Sequence, residues 1–117
     1  MDSKRETAAL KGMVTRKINA IANRWNGVFH TNIHPSVEYF DEGTDGGYAI
    51  GSERIGINLH YLRKYRQKFV SEIVPHEMAH AFQYILFSKD YHHHSANWRR
   101  LCIGFGGTGD TYHHFEE

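Results

Sequence analysis

Apolar residues recur at helical spacing in the first part of the chain. Leu10, Val14, Ile18, Ile21 and Trp25 are separated by four, four, three and four positions, which places them on one stripe of an α-helix. Lys and Arg occupy much of the remaining surface. The pattern predicts an amphipathic helix over about Lys4–Trp25, stopped by Asn26-Gly27. The middle of the chain has a different rhythm. Ser36–Phe40 (SVEYF) is β-prone, and Asp41–Gly47 (DEGTDGG) is a turn by composition. Tyr48–Gly51 (YAIG) and Arg54–Asn58 (RIGIN) are two further short strand candidates. Together they predict a small meander, with Gly51 and Gly56 as bulge positions.

Helical patterning then returns. Leu59–Phe69 (LHYLRKYRQKF) predicts a short basic helix, and Ser71–Lys89 a central one. Ser71 is its candidate N-cap, and Pro75 places the helix start close to Ser71, because proline is tolerated in the first turn. On a helical wheel Val70, Val74, Met78, Ala81, Phe82 and Ile85 crowd one side. His76 and His80 point largely the other way, with Glu77 near the boundary, so one face can pack while the other meets a cleft. A last helix is predicted over Ser95–Phe105, ending in Gly106–Gly109.

The 117 residues suit one domain, and 40% hydrophobic with 23% charged residues suits a packed core. A net charge of +1 names no partner. The lone Cys102 excludes an internal disulfide and a cysteine-based zinc ribbon; its place on the last helix predicts a core position. The first ten residues lack the apolar core of a signal peptide, and no apolar run is long enough to span a membrane. The expectation is an intracellular, non-secreted protein with no membrane partner. Ten histidines are the compositional anomaly.

Two of them lie in HEMAH (His76–His80). Residues four apart on a helix differ by roughly 40° about the axis and lie one turn apart, so two imidazoles can reach one metal ion. Glu77 is close enough to meet a water at that ion without ligating it. This is the H-E-x-x-H pattern of zinc peptidases, in which the metal polarises a carbonyl and acidifies water while the glutamate carries the proton to the leaving amine.

A catalytic zinc takes three protein ligands. The metzincin arrangement needs Gly at 83 and His at 86, where this chain has Gln83 and Leu86. The glutamates after Glu77 are Glu116 and Glu117 at the end of the chain; aspartate candidates are Asp90 and Asp110. Gly107–His113 (GTGDTYH) bears a loose likeness to the GTxDxxY segment of aspartate-ligated peptidases, with its tyrosine one position early. His94 is the better option. It stands at the start of the last helix, fourteen residues after His80, with Trp98 one turn on to fix its ring. His92 and His93 are alternatives that lack this support.

IGINLHYL (Ile55–Leu62), VPHEMAH (Val74–His80) and HSANW (His94–Trp98) together resemble the SprT-like family of zinc metallopeptidases, which includes the protease domain of Spartan. That family carries I-x-L-N, then P-H-E-x-x-H, then H-G-x-x-W in this order and spacing. The resemblance runs from about Val37 to Phe115. It implies a compact α+β, zincin-like domain with an N-terminal helix and a small sheet beside the active-site helix. It implies His76, His80 and His94 as ligands of one Zn2+, and Glu77 as catalytic acid/base. Ser95 departs from the family's usual glycine, and the cysteine-rich ribbon of many members is absent, so residues 1–117 read as a minimal catalytic domain. A histidine-rich site leaves cobalt, nickel and manganese open, but geometry and availability favour zinc.

Arg63, Lys64, Arg66 and Lys68 are interleaved with aromatic residues, a pattern that can attract phosphates and stack on bases or form a solvated helix face. Spartan-type relatives act on proteins attached to DNA, which implies a protein substrate bound or crosslinked to DNA. Tyr112, His113 and His114 lie where an oxyanion could be steadied, or form an ordered tail. Three readings follow. The first is a zinc metalloendopeptidase. The second is a non-enzymatic, DNA-associated module with structural zinc. The third is a hydrolase of small amides. A structural site has no need of Glu77, which favours an enzyme.

Overall fold

The computed structural model describes residues 4–88 and 94–111. Helix α1 (Lys4–Phe29) is followed by strands β1 (Ser36–Phe40), β2 (Gly47–Ile50) and β3 (Arg54–Asn58), then helices α2 (Leu59–Tyr65), α3 (Gln67–Leu86) and α4 (Ala96–Gly104). The α+β class expected from the sequence is the one observed. Leu10, Val14, Ile18 and Ile21 of the α1 stripe are all buried. Each contributes about 1.5–3 kcal/mol by leaving water.

Helix α1 overruns its expected end at Asn26-Gly27. The Asn26 side chain accepts the Ile33 N–H at 2.8 Å and donates to the Ile33 carbonyl at 2.9 Å. Asn26 thus pins the returning chain instead of stopping the helix. The left-handed turn falls on His30 (φ 55°), with the Thr31 N–H donating to the Asn26 carbonyl.

The sheet is not a meander. Its order is β1-β3-β2, with β1 parallel and β2 antiparallel to β3. The most apolar strand takes the centre: Ile55 and Ile57 are fully buried, and a central strand is the one that packs on both sides. Gly56 marks no bulge. It pairs regularly with Tyr48, whose ring lies where a Cβ would be, 2.1 Å away. Gly51 (φ 55°) serves the turn between β2 and β3.

Asn58 ends β3 and caps α2, its Oδ1 accepting the His60 N–H at 2.9 Å. Its Nδ2 also donates to the Asp45 carbonyl at 2.9 Å, tying down the loop before β2.

The expected helix Leu59–Phe69 is broken at Arg66 (φ 54°), and α3 begins at Gln67. The break lets Tyr61 and Leu62 on one side and Phe69 and Val70 on the other all reach the core. Ser71 is therefore no N-cap; its hydroxyl donates to the Lys68 carbonyl. Pro75 lies well inside α3, not in its first turn. Its missing N–H leaves the Ser71 carbonyl without its helical donor. Pro75 is itself buried and packs against Gly107, where a Cβ would come within 2.9 Å of the proline Cβ. Ile85 departs from the predicted apolar side and is half exposed, whereas Val70, Val74, Met78, Ala81 and Phe82 are core. Cys102 is also buried. Among the described residues no helix is long and apolar enough to cross a membrane.

Candidate metal centre

Helix α3 presents His76 and His80 on one face, and His94 stands just before Ser95, the N-cap of α4. One ligand nitrogen from each lies within 4.8 Å of the other two. The Nε2 atoms of His76 and His94 are 3.3 Å apart. Two nitrogens bound about 2.0–2.1 Å from one tetrahedral ion are separated by about 3.4 Å. The donor set and its spacing therefore fit a divalent ion such as zinc.

Trp98 holds this group together. Its ring is fully buried and lies 4.8 Å from His76, 5.4 Å from His80 and 4.6 Å from His94, centroid to centroid. Its Nε1–H donates to the His76 carbonyl at 3.2 Å. The sequence suggested Trp98 as a support for His94 alone, but it supports all three imidazoles.

Glu77 is buried, with Oε2 3.9 Å from His76 Nε2. Burial pushes its carboxyl up to about 8, and the negative charge of Asp45 adds to the rise. A nearby cation acts in the opposite direction. Burial also lowers His94, which favours the neutral imidazole needed for ligation.

Two hollows meet at this point. The larger, about 630 Å³, lies between the histidines, β2 and Tyr84 of α3. The smaller, about 360 Å³, runs under the loop at Thr44 and Asp45 towards Phe69. Among the described residues strand β2 pairs with β3 alone, and its residues line the larger hollow.

Of the other candidates, Asp110 is exposed and outside the cluster. Asp90, His92, His93, Tyr112, His113, His114, Glu116 and Glu117 lie outside the described residues. None of the four basic residues lines either hollow at the histidine cluster. Arg63 pairs with Asp41 at 3.5 Å and Arg66 with Glu6 at 3.2 Å. Lys64 lies over the Tyr65 ring, 5.5 Å from its centroid. Phe69 is fully buried and Tyr65 half-buried. The expected row of stacking aromatics is thus largely spent on packing.

Gln83 and Ser95 carry roles that the sequence did not reveal. Gln83 is fully buried, with Oε1 3.0 Å from His80 Nδ1 and Nε2 donating to Ser95 Oγ at 3.3 Å. Ser95 also caps α4 by accepting the Trp98 N–H at 3.2 Å. The available signal was Gln83's position three residues after His80, on the same helix face.

The helix-borne H-E-x-x-H pair, the third histidine and the flanking sheet define an α+β domain in which three histidines could hold a metal ion. The model of the SprT-like family matches residues 18–113, and the chain belongs to that family. It is 32% identical over 110 residues to Protein SprT of Actinobacillus succinogenes, covering 92% of this chain and 64% of that protein. It is 33% identical over 103 residues to Protein SprT of Yersinia enterocolitica, covering 85% of this chain and 59% of the relative. The chain thus spans less than two thirds of the length of these curated relatives. No solved structure matches it significantly.

Proposed function

We propose that this protein is a zinc-dependent endopeptidase. The observation that carries the reading is a buried carboxyl, Glu77, set beside three convergent histidines in a cleft flanked by an open strand edge. His76, His80 and His94 would hold the ion, which supplies Lewis acidity for a peptide carbonyl and for water. Glu77 takes a proton from the attacking water as the new C–O bond forms. It then delivers that proton to the amide nitrogen as the C–N bond breaks. A carboxyl whose affinity for protons is raised towards neutrality suits both halves of that task. Substrate backbone can align with the free edge of β2.

The likeness to the Spartan protease domain extends the proposal to proteins bound or crosslinked to DNA. Lys64 and Lys68, both exposed on the α2–α3 surface, supply charge for phosphates. The deciding experiment compares wild type with Glu77→Gln on a protein substrate, with and without DNA. Glu77→Gln should retain one zinc per chain and lose cleavage. Undiminished cleavage by a clean preparation of that variant defeats the proposal. An inactive wild type that loses its fold on chelation supports the alternative of a binding module with structural zinc.

A further inference from the structure

The contacts around Gln83 form a directed chain of hydrogen bonds. The Trp98 N–H donates to Ser95 Oγ at 3.2 Å, and Gln83 Nε2 donates to the same oxygen at 3.3 Å. That orientation of the amide turns Gln83 Oε1 towards His80 Nδ1, 3.0 Å away. A carbonyl oxygen can only accept, so His80 Nδ1 must carry the ring proton. In a neutral imidazole the lone pair then lies on Nε2, the nitrogen left for an ion. The reversed amide would donate to Nδ1 and leave the proton on Nε2, where no metal can bind. In the observed state Ser95 Oγ accepts both the Trp98 N–H and the Gln83 amide N–H, one on each lone pair, and so holds the amide with Oε1 towards the ring.

We propose that Gln83 and Ser95 are positioning residues of the metal site: Gln83 fixes His80 in the tautomer that presents Nε2, and Ser95 fixes Gln83 while capping the helix that follows His94. The relevance to metal rests on the reading of the histidines given above, but the tautomer itself does not. The chain links α3 to the start of α4, so one network sets the aim of His80 and the place of His94. Ser95, the family-atypical residue, gains a function that glycine could not supply, since glycine has no hydroxyl.

The test begins with ¹⁵N NMR of the imidazoles in metal-free protein at about pH 8, where histidine is ordinarily neutral. Wild type should show His80 as the Nδ1–H tautomer. Gln83→Leu should shift it towards Nε2–H, and Gln83→Glu, which retains an acceptor, should keep Nδ1–H. Zinc affinity, measured by competition with a chromophoric chelator, should fall about 10- to 100-fold in Gln83→Leu and Ser95→Ala. It should recover in Gln83→Glu. Should Gln83→Leu fail to fold, Ser95→Ala takes its place for both the tautomer and the affinity, with Gln83→Glu as the variant that retains the wild-type reading. An Nε2–H tautomer in wild type, or an unchanged tautomer in folded Gln83→Leu, overturns the proposal. Absence of zinc binding by wild type, with the tautomer shifting as expected, defeats the metal reading and upholds the clasp.

Discussion

At the scale of single residues, polar atoms buried beside apolar ones set the properties of the site. Trp98 is the clearest case, since one side chain supplies both a packing surface for three imidazoles and a donor to the His76 carbonyl. Trp98→Phe should cost about 2–4 kcal/mol through a cavity and the lost hydrogen bond to the His76 carbonyl, measured by urea unfolding, and should weaken zinc binding with it. Tyr39 gives a prediction of a different kind. Its hydroxyl is buried with no hydrogen-bond partner among the described residues, and burial pushes its pKa up to about 12. The folded chain then holds this proton at pH values where the unfolded chain, titrating near 10, has released it. The stability involved is fully present below pH 10 and is lost as pH rises towards 12. Tyr39→Phe should therefore show a shallower fall in urea midpoint above pH 10 than wild type. His76, Glu77 and His80 were legible because a fixed helical period converts spacing into direction. Gln83 was not, because its role depends on a partner twelve residues away, reached only after the chain turns.

At the scale of elements, the positions of the strands were legible and their order was not. Alternation and turn composition identify strands, but three short strands can be ordered as a meander or with a crossover. Burial of Ile55 and Ile57 decides the matter in favour of a central β3. The break at Arg66 was hidden for a similar reason: the basic run is compatible with one helix, and the core prefers two. Register can be tested at Gly56. Gly56→Ala should cost about 1–3 kcal/mol by driving a methyl group into the Tyr48 ring. Adding Tyr48→Ser should recover part of that loss, a non-additivity that a slipped register would not show. Asn58 joins three elements through one amide. Asn58→Ala should lower stability by about 1–3 kcal/mol and speed amide exchange at residues 42–46, read by hydrogen exchange.

For the molecule as a whole, two of the histidines lie on α3 and the third on the segment leading into α4, and these parts meet through Trp98 and the Gln83–Ser95 bond. An ion held between them binds the folded state and not the unfolded chain, so it adds stability of about 4 kcal/mol at a thousandfold excess over Kd. Chelation should therefore lower the Tm of wild type. His94→Ala should bind little zinc and show a small shift, whereas His92→Ala and His93→Ala should behave as wild type. Full zinc in His94→Ala would overturn the assignment. The length of β2 has a consequence for what can enter the cleft. Four residues of strand offer about 13 Å of edge. So brief an edge is a poor template for self-association, and it sets a size limit on any chain paired there. A segment of about four extended residues satisfies it, which a loop, a terminus or a locally melted region can provide and an intact helix cannot. Selection among proteins would then fall on how readily each surrenders a short length of backbone, more than on the identity of its side chains.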